Sequence, residues 1–107
     1  MSKLVRDNIP EIIRKSGSKA KYHIVDNPIQ RKELLLEKLN EEVQEVNEAK
    51  TREELQEELA DVYEVMCAIC SVHNISVIDM EMTAAKKRIR NGGFEKFIVL
   101  DEVEKNS

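Results

Sequence analysis

Apolar positions recur at helical spacing along most of the chain. Leu35, Leu39, Val43 and Val46 stand four, four and three residues apart, which is one stripe of an amphipathic helix. The stretch before them opens it: Asn27 is placed as the cap, Pro28 as the first helical residue and Gln30 at the capping-box position. The pattern predicts a helix from residue 29 to about residue 48. Thr51-Arg52-Glu53-Glu54 is a capping box for a second helix. That helix runs to about His73 through Leu55, Leu59, Val62, Met66, Ile69 and Cys70. The short link between them predicts an antiparallel pair. Ser76 caps a third long helix, with Ile78, Met82, Ala85 and Ile89 on one stripe and its end at Asn91-Gly92-Gly93. A shorter first helix starts at Asn8-Ile9-Pro10-Glu11, with Asn8 as its cap, and stops near Gly17. Residues 22–25 and 97–100 are β-prone and are candidates for a minor β-hairpin. The expected fold is therefore all-α, an antiparallel helical bundle in one domain over residues 1–107.

Composition agrees with helices and removes several functions. Apolar residues make up 41% and charged residues 36% of 107 residues, as suits helices with solvated outer faces. Only four aromatics occur, few for a large β-sandwich core. The net charge of -4 disfavours a nucleic-acid polymer as partner, since phosphate backbones repel an acidic surface. A membrane span needs about 20 apolar residues, and the longest uninterrupted run covers only residues 65–70. The N-terminal stretch lacks an apolar segment of signal-peptide length, so the cytoplasm is the expected compartment and no membrane is expected as partner. From Leu55 to Val72 the second long helix is apolar over more than half its circumference. Such a helix is normally buried, and the expectation is a homo-oligomer.

The chemistry lies in Glu41-Glu42-Val43-Gln44-Glu45 and Glu58-Leu59-Ala60-Asp61. Glu42 and Glu45 are three apart and share a helix face, and Glu58 and Asp61 repeat that spacing. On a helical wheel Glu42 falls inside the apolar stripe of its helix, and Glu58 lies between Val65 and Ile69 on the next. Unpaired carboxylates are costly there. The pairs Glu42/Asp61 and Glu45/Glu58 are both symmetric about the turn near Thr51, so an antiparallel hairpin brings all four acids to one level. Clustered carboxylates repel unless protonated or bridged by cations. Oxygen-only ligands select hard cations, which points to Mg²⁺, with Mn²⁺ as the other option. Glu-rich helices carry either pair by chance as solvated acids, but the joint coincidence of spacing, facing and height favours a metal site.

Other clusters carry less. Cys67 and Cys70 lie late in an apolar helix without a second cysteine pair, and read as packing residues rather than zinc or redox ligands. Glu-x-x-His motifs of a di-iron site are absent from the sequence. Lys86-Lys87-Arg88-Ile89-Arg90 before Asn91-Gly92-Gly93 fits either a cation-rich helix end or a basic rim that holds phosphates. Lys3 and Arg6 make a smaller basic group, read here as a solvated arm.

Glu41-Glu42-x-x-Glu45, twelve residues, then Glu58-x-x-Asp61 resembles the signature of the MazG-like all-α nucleoside triphosphate pyrophosphohydrolases. The opening Lys3-Leu4-Val5-Arg6-Asp7-Asn8-Ile9-Pro10-Glu11 and the closing Arg90-Asn91-Gly92-Gly93-Phe94 resemble a single-domain branch related to phosphoribosyl-ATP pyrophosphohydrolase. The resemblance implies a bundle completed as a homodimer or homotetramer. It also implies hydrolysis of a nucleoside triphosphate to the monophosphate and pyrophosphate, with clearance of non-standard nucleotides as one role and phosphoribosyl-ATP as the alternative substrate. On that reading Glu42, Glu45, Glu58 and Asp61 hold the metal. Glu41 and Glu42 are the candidate catalytic acids, with Glu41 an outer partner or base. Lys86, Arg90 and Asn91 contact phosphate. The competing reading is a non-catalytic helical interaction or nucleotide-sensing module.

Overall fold

A computed structural model describes residues 2–105, and the described residues form four α-helices with no strand. They are α1 (Ile9–Lys15), α2 (Pro28–Glu48), α3 (Arg52–Val72) and α4 (Val77–Asn91). The chain divides into two compact units after Val77.

In the first unit α2 and α3 pack against each other. Asn27 caps α2 as its sequence predicts: its side chain accepts from the Gln30 amide at 3.0 Å. The Thr51 cap of α3 also forms, with the return bond of Glu54 shifted one residue ahead of the cap. The Thr51 hydroxyl accepts from the Glu54 amide at 3.0 Å, and the Glu54 carboxylate accepts from the Lys50 amide at 2.8 Å. The first bond satisfies an amide that the opening turn of α3 leaves free; the second ties Lys50, ahead of the cap, to the helix, and together they set a tight link between α2 and α3. At its far end α3 closes with Asn74 at φ 57° and the Ile75 amide bonded to the Cys70 carbonyl at 2.8 Å. An Asn in the left-handed region is a common helix stop.

Two local expectations are corrected. Asn8 precedes α1 in helical backbone geometry and its side chain caps nothing; Glu11 pairs with Arg14 instead. The stop at Gly17, φ 94°, is as expected. Residues 22–25 and 97–100 are not strands, so the minor β-hairpin does not exist. A lone two-stranded hairpin is marginal in water. Tyr22, Ile24 and residues 97–100 are exposed, with no apolar face to hold such a pair. The Val25 carbonyl is taken by the Arg31 side chain at 2.6 Å.

The interior is thin. Among the described residues only Leu35, Val65 and Cys70 are buried apolar side chains, and Glu42 is the one buried charged side chain. Leu55, Leu59, Tyr63 and Met66 on α3 all stay exposed. In the second unit α4 buries none of its residues, and Ile78, Met82 and Ile89 of its stripe are exposed. Gly92 ends α4 at φ 86°, its amide bonded to the Arg88 carbonyl at 2.8 Å.

Candidate metal centre and its counter-ions

The α2–α3 hairpin turns its helical register into a cluster of acids. Glu42 is 8% exposed, inside the apolar stripe where the wheel puts it. Glu58 and Asp61, one turn apart on α3, are half-buried. One carboxylate oxygen from each of Glu42, Glu58 and Asp61 lies within 4.8 Å of the others. Glu45 is exposed and is not one of the three. Its charge nonetheless bears on the site. Partial burial pushes the Glu58 carboxyl above its ordinary value, and repulsion from Asp61, Glu45, Glu42 and Glu57 adds to that.

Basic side chains hold the remaining charge. Lys38, largely buried on α2, bonds Glu41 at 3.2 Å and pairs with Glu42 at 3.3 Å. Arg6 donates to Asp61 at 2.5 Å. Lys3 reaches Glu41 at 3.9 Å. Lys3 and Arg6 are exposed, as a solvated arm would be, but each pairs with an acid of the hairpin. Sequence reasoning also passed over Lys38, although its spacing of three and four residues from Glu41 and Glu42 is the local signal for such pairs. No local signal marks Arg6, because its partner lies 55 residues away. A small pocket of about 100 Å³ opens beside these groups, lined by Lys3, Leu34, Lys38 and Glu41 among others. Ligand pockets usually run about 300–1,000 Å³, so it holds part of a nucleotide at most.

The donor set fits a hard divalent cation. Three carboxylates from two adjacent helices converge with no nitrogen or sulfur donor among them, and oxygen ligands suit Mg²⁺ or Mn²⁺ over zinc or copper. Glu41 stands next to this group but is engaged by two lysines rather than by the other acids. Lys86, Arg90 and Asn91 are exposed residues of α4, in the second unit.

Comparison with known proteins decides the family. A family model described as phosphoribosyl-ATP pyrophosphohydrolase matches residues 10–88. The chain belongs to that family. It is related to the MazG-like nucleoside triphosphate pyrophosphatases, and the matched span includes both acidic motifs and both helices that carry them. Membership makes the protein a hydrolase with pyrophosphohydrolase activity on a nucleotide. No curated protein and no solved structure matched the chain. Arg6 and Lys3 precede the matched span.

Proposed function

We propose that the protein hydrolyses a nucleoside triphosphate to the monophosphate and pyrophosphate, using Mg²⁺ held by Glu42, Glu58 and Asp61 with Glu45 at its edge. One observation supports this reading above the rest: three carboxylate oxygens from α2 and α3 converge within 4.8 Å, inside the family-matched span. A bound Mg²⁺ supplies charge neutralisation at the phosphate oxygens and a more acidic attacking water. Water oxygen bonds to the α-phosphorus, the bond to the bridging oxygen breaks, and pyrophosphate leaves with that oxygen. Positioning and charge stabilisation carry such transfers more than covalent chemistry does. In this scheme Glu41, held by Lys38 and Lys3, accepts the proton of the water or orients the group that does. Lys86, Arg90 and Asn91 bind the outer phosphates.

A panel of standard and modified triphosphates together with phosphoribosyl-ATP tests the reading, with and without Mg²⁺. The expected products are monophosphate and pyrophosphate. The family description favours a second substrate, phosphoribosyl-ATP, and turnover of that compound alone would select it. A non-catalytic helical module predicts no turnover at all. It also predicts no Mg²⁺-dependent thermal stabilisation, whereas the hydrolase reading expects one that vanishes in Glu58→Gln.

The same reading includes a homodimer or homotetramer in the cytoplasm. The exposed Leu55, Leu59, Tyr63 and Met66 on α3 support assembly, because a helix apolar over most of its surface is normally covered. The small pocket beside the acids also needs further walls to enclose a nucleotide. Light scattering is expected to give at least twice the chain mass of 12.4 kDa. A monomer at micromolar concentration would remove this part of the proposal.

A further inference from the structure

Asp61 has two claims on its carboxylate. It is one of the three converging acids, and its Oδ1 accepts a hydrogen bond from the Arg6 guanidinium at 2.5 Å. Arg6 is placed by the backbone as well as by its charge. Its carbonyl accepts from the Ile9 amide at 3.1 Å, at the entry to α1, and the adjoining Leu4 and Val5 are half-buried. The side chain is nevertheless open to solvent: Arg6 is 57% and Asp61 37% exposed.

Lys38 is a different kind of partner. Its side chain is only 16% exposed, and it lies on the same helix as the two acids it serves. Moving it would leave a nearly buried Glu42 without its counter-charge, which is costly. Breaking an exposed pair such as Arg6–Asp61 costs little, because water and salt already screen it. Among the described residues, Arg6 is the cation within hydrogen-bond distance of a convergent acid that can leave cheaply. A guanidinium freed from a carboxylate is suited to phosphate, because its planar fork matches two phosphate oxygens.

We propose that Arg6 is a displaceable counter-ion: it neutralises Asp61 while the acids hold no cation, and it turns to the phosphates of the nucleotide when a divalent ion takes Asp61. The proposal rests on the hydrolase reading for the identity of the site. It adds a phosphate-binding residue on the segment that precedes the family match. Cation and arginine thus compete for Asp61, whereas cation and phosphates together release the arginine to a new partner. The two equilibria should respond to Arg6 with opposite sign.

Binding of Mn²⁺ alone, followed by the paramagnetic signal of the free ion, reads the first. Titration of α,β-methylene-ATP in saturating Mn²⁺ reads the second without turnover. Arg6→Gln is expected to bind Mn²⁺ about threefold more tightly and the analogue about tenfold more weakly. Arg6→Lys should fall between wild type and Arg6→Gln in both, and circular dichroism should show unchanged helix content for each. Unchanged or weaker Mn²⁺ binding in Arg6→Gln would overturn the displacement. Tighter Mn²⁺ binding with unchanged analogue binding would overturn the transfer to phosphate. Wild-type protein that binds no Mn²⁺ at millimolar concentration would overturn both halves. Absence of hydrolysis, with these binding changes present, would instead count against the hydrolase reading and for the exchange.

Discussion

The α2–α3 hairpin and the α4 segment with its tail are built from the same kind of sequence and end differently. Both are amphipathic, and both carry dense charge beside an apolar stripe. In the hairpin the stripe is partly covered, and that covering draws Glu42, Glu58 and Asp61 together with Lys38 and Arg6 around them. In α4 nothing is buried, and Arg88 pairs with Glu95, seven residues on. A charge on an exposed helix finds water or a neighbour at little cost. A charge on a packed face must be answered by a specific partner. The difference teaches that packing sorts these charges: where α2 and α3 meet, acids from both helices are drawn into one group, while the charges of α4 stay exposed.

The sharpest break of this contrast is to neutralise the hairpin acids. Glu42→Gln or Asp61→Asn is expected to abolish turnover while leaving helix content intact. Metal-free Asp61→Asn should be as stable as wild type or more so, since one carboxylate of a repelling group is gone and its Arg6 pair is exposed. Glu42→Gln also takes a counter-charge from the largely buried Lys38 and should gain less. Near-normal turnover in either variant would remove that residue from the site, and loss of the helical signal would make its role structural. On α4 the effect should be smaller. Lys86→Ala or Arg90→Ala is expected to weaken nucleotide binding about tenfold, the worth of one charge-assisted hydrogen bond, with turnover at saturation retained. Steady-state kinetics separate the two patterns.

The hairpin turn offers a test of stability alone. Thr51→Ala removes the hydroxyl that accepts from the Glu54 amide, and should cost about 1 kcal/mol. For a domain of this size that lowers the Tm by about 5 °C. A thermal melt with no shift would mean that water caps α3 equally well.

The smallest expected effect is a pH dependence whose window differs between the two regions. Glu58 in the hairpin is pushed above the ordinary 4.5, first by partial burial and then by its acidic neighbours. Its contribution to metal-free stability is full below 4.5 and is lost as pH rises through the raised value. Glu95 behind α4 is held below 4.5 by a hydrogen bond from its own backbone and by Arg88. Its contribution is present above 4.5 and is lost as pH falls through the lowered value. Melts of metal-free protein from pH 7 to 5 should therefore show a small gain that Glu58→Gln abolishes and Glu95→Gln leaves alone. An unchanged gain in Glu58→Gln would assign it to other groups.

What could be read in the sequence follows the range of each interaction. The long helices were legible because Asn27, Pro28 and Thr51 act within one turn, and because the apolar stripe of α2 has a fixed period. The burial of Glu42 followed from that period alone. The level of the acids followed from the length of the link at Thr51. Arg6 and Asp61 meet only in three dimensions, so Lys3 and Arg6 looked like a solvated arm. Residues 22–25 and 97–100 have strand-like composition, but the described residues form no sheet to receive them, and composition carries no information about a partner. Asn8 looked like a cap because the Asn-x-Pro-Glu pattern fits one, yet its backbone is already helical and its side chain points to no free amide.

The reaction is tested most directly by hydrolysis of ATP or dCTP with Mg²⁺ in ¹⁸O-labelled water. Attack at the α-phosphorus puts the label in the monophosphate and leaves pyrophosphate unlabelled, and Asp61→Asn should form neither product. Label in free inorganic phosphate, with a nucleoside diphosphate beside it, would contradict the proposed cleavage even if the acids of α2 and α3 bind the metal.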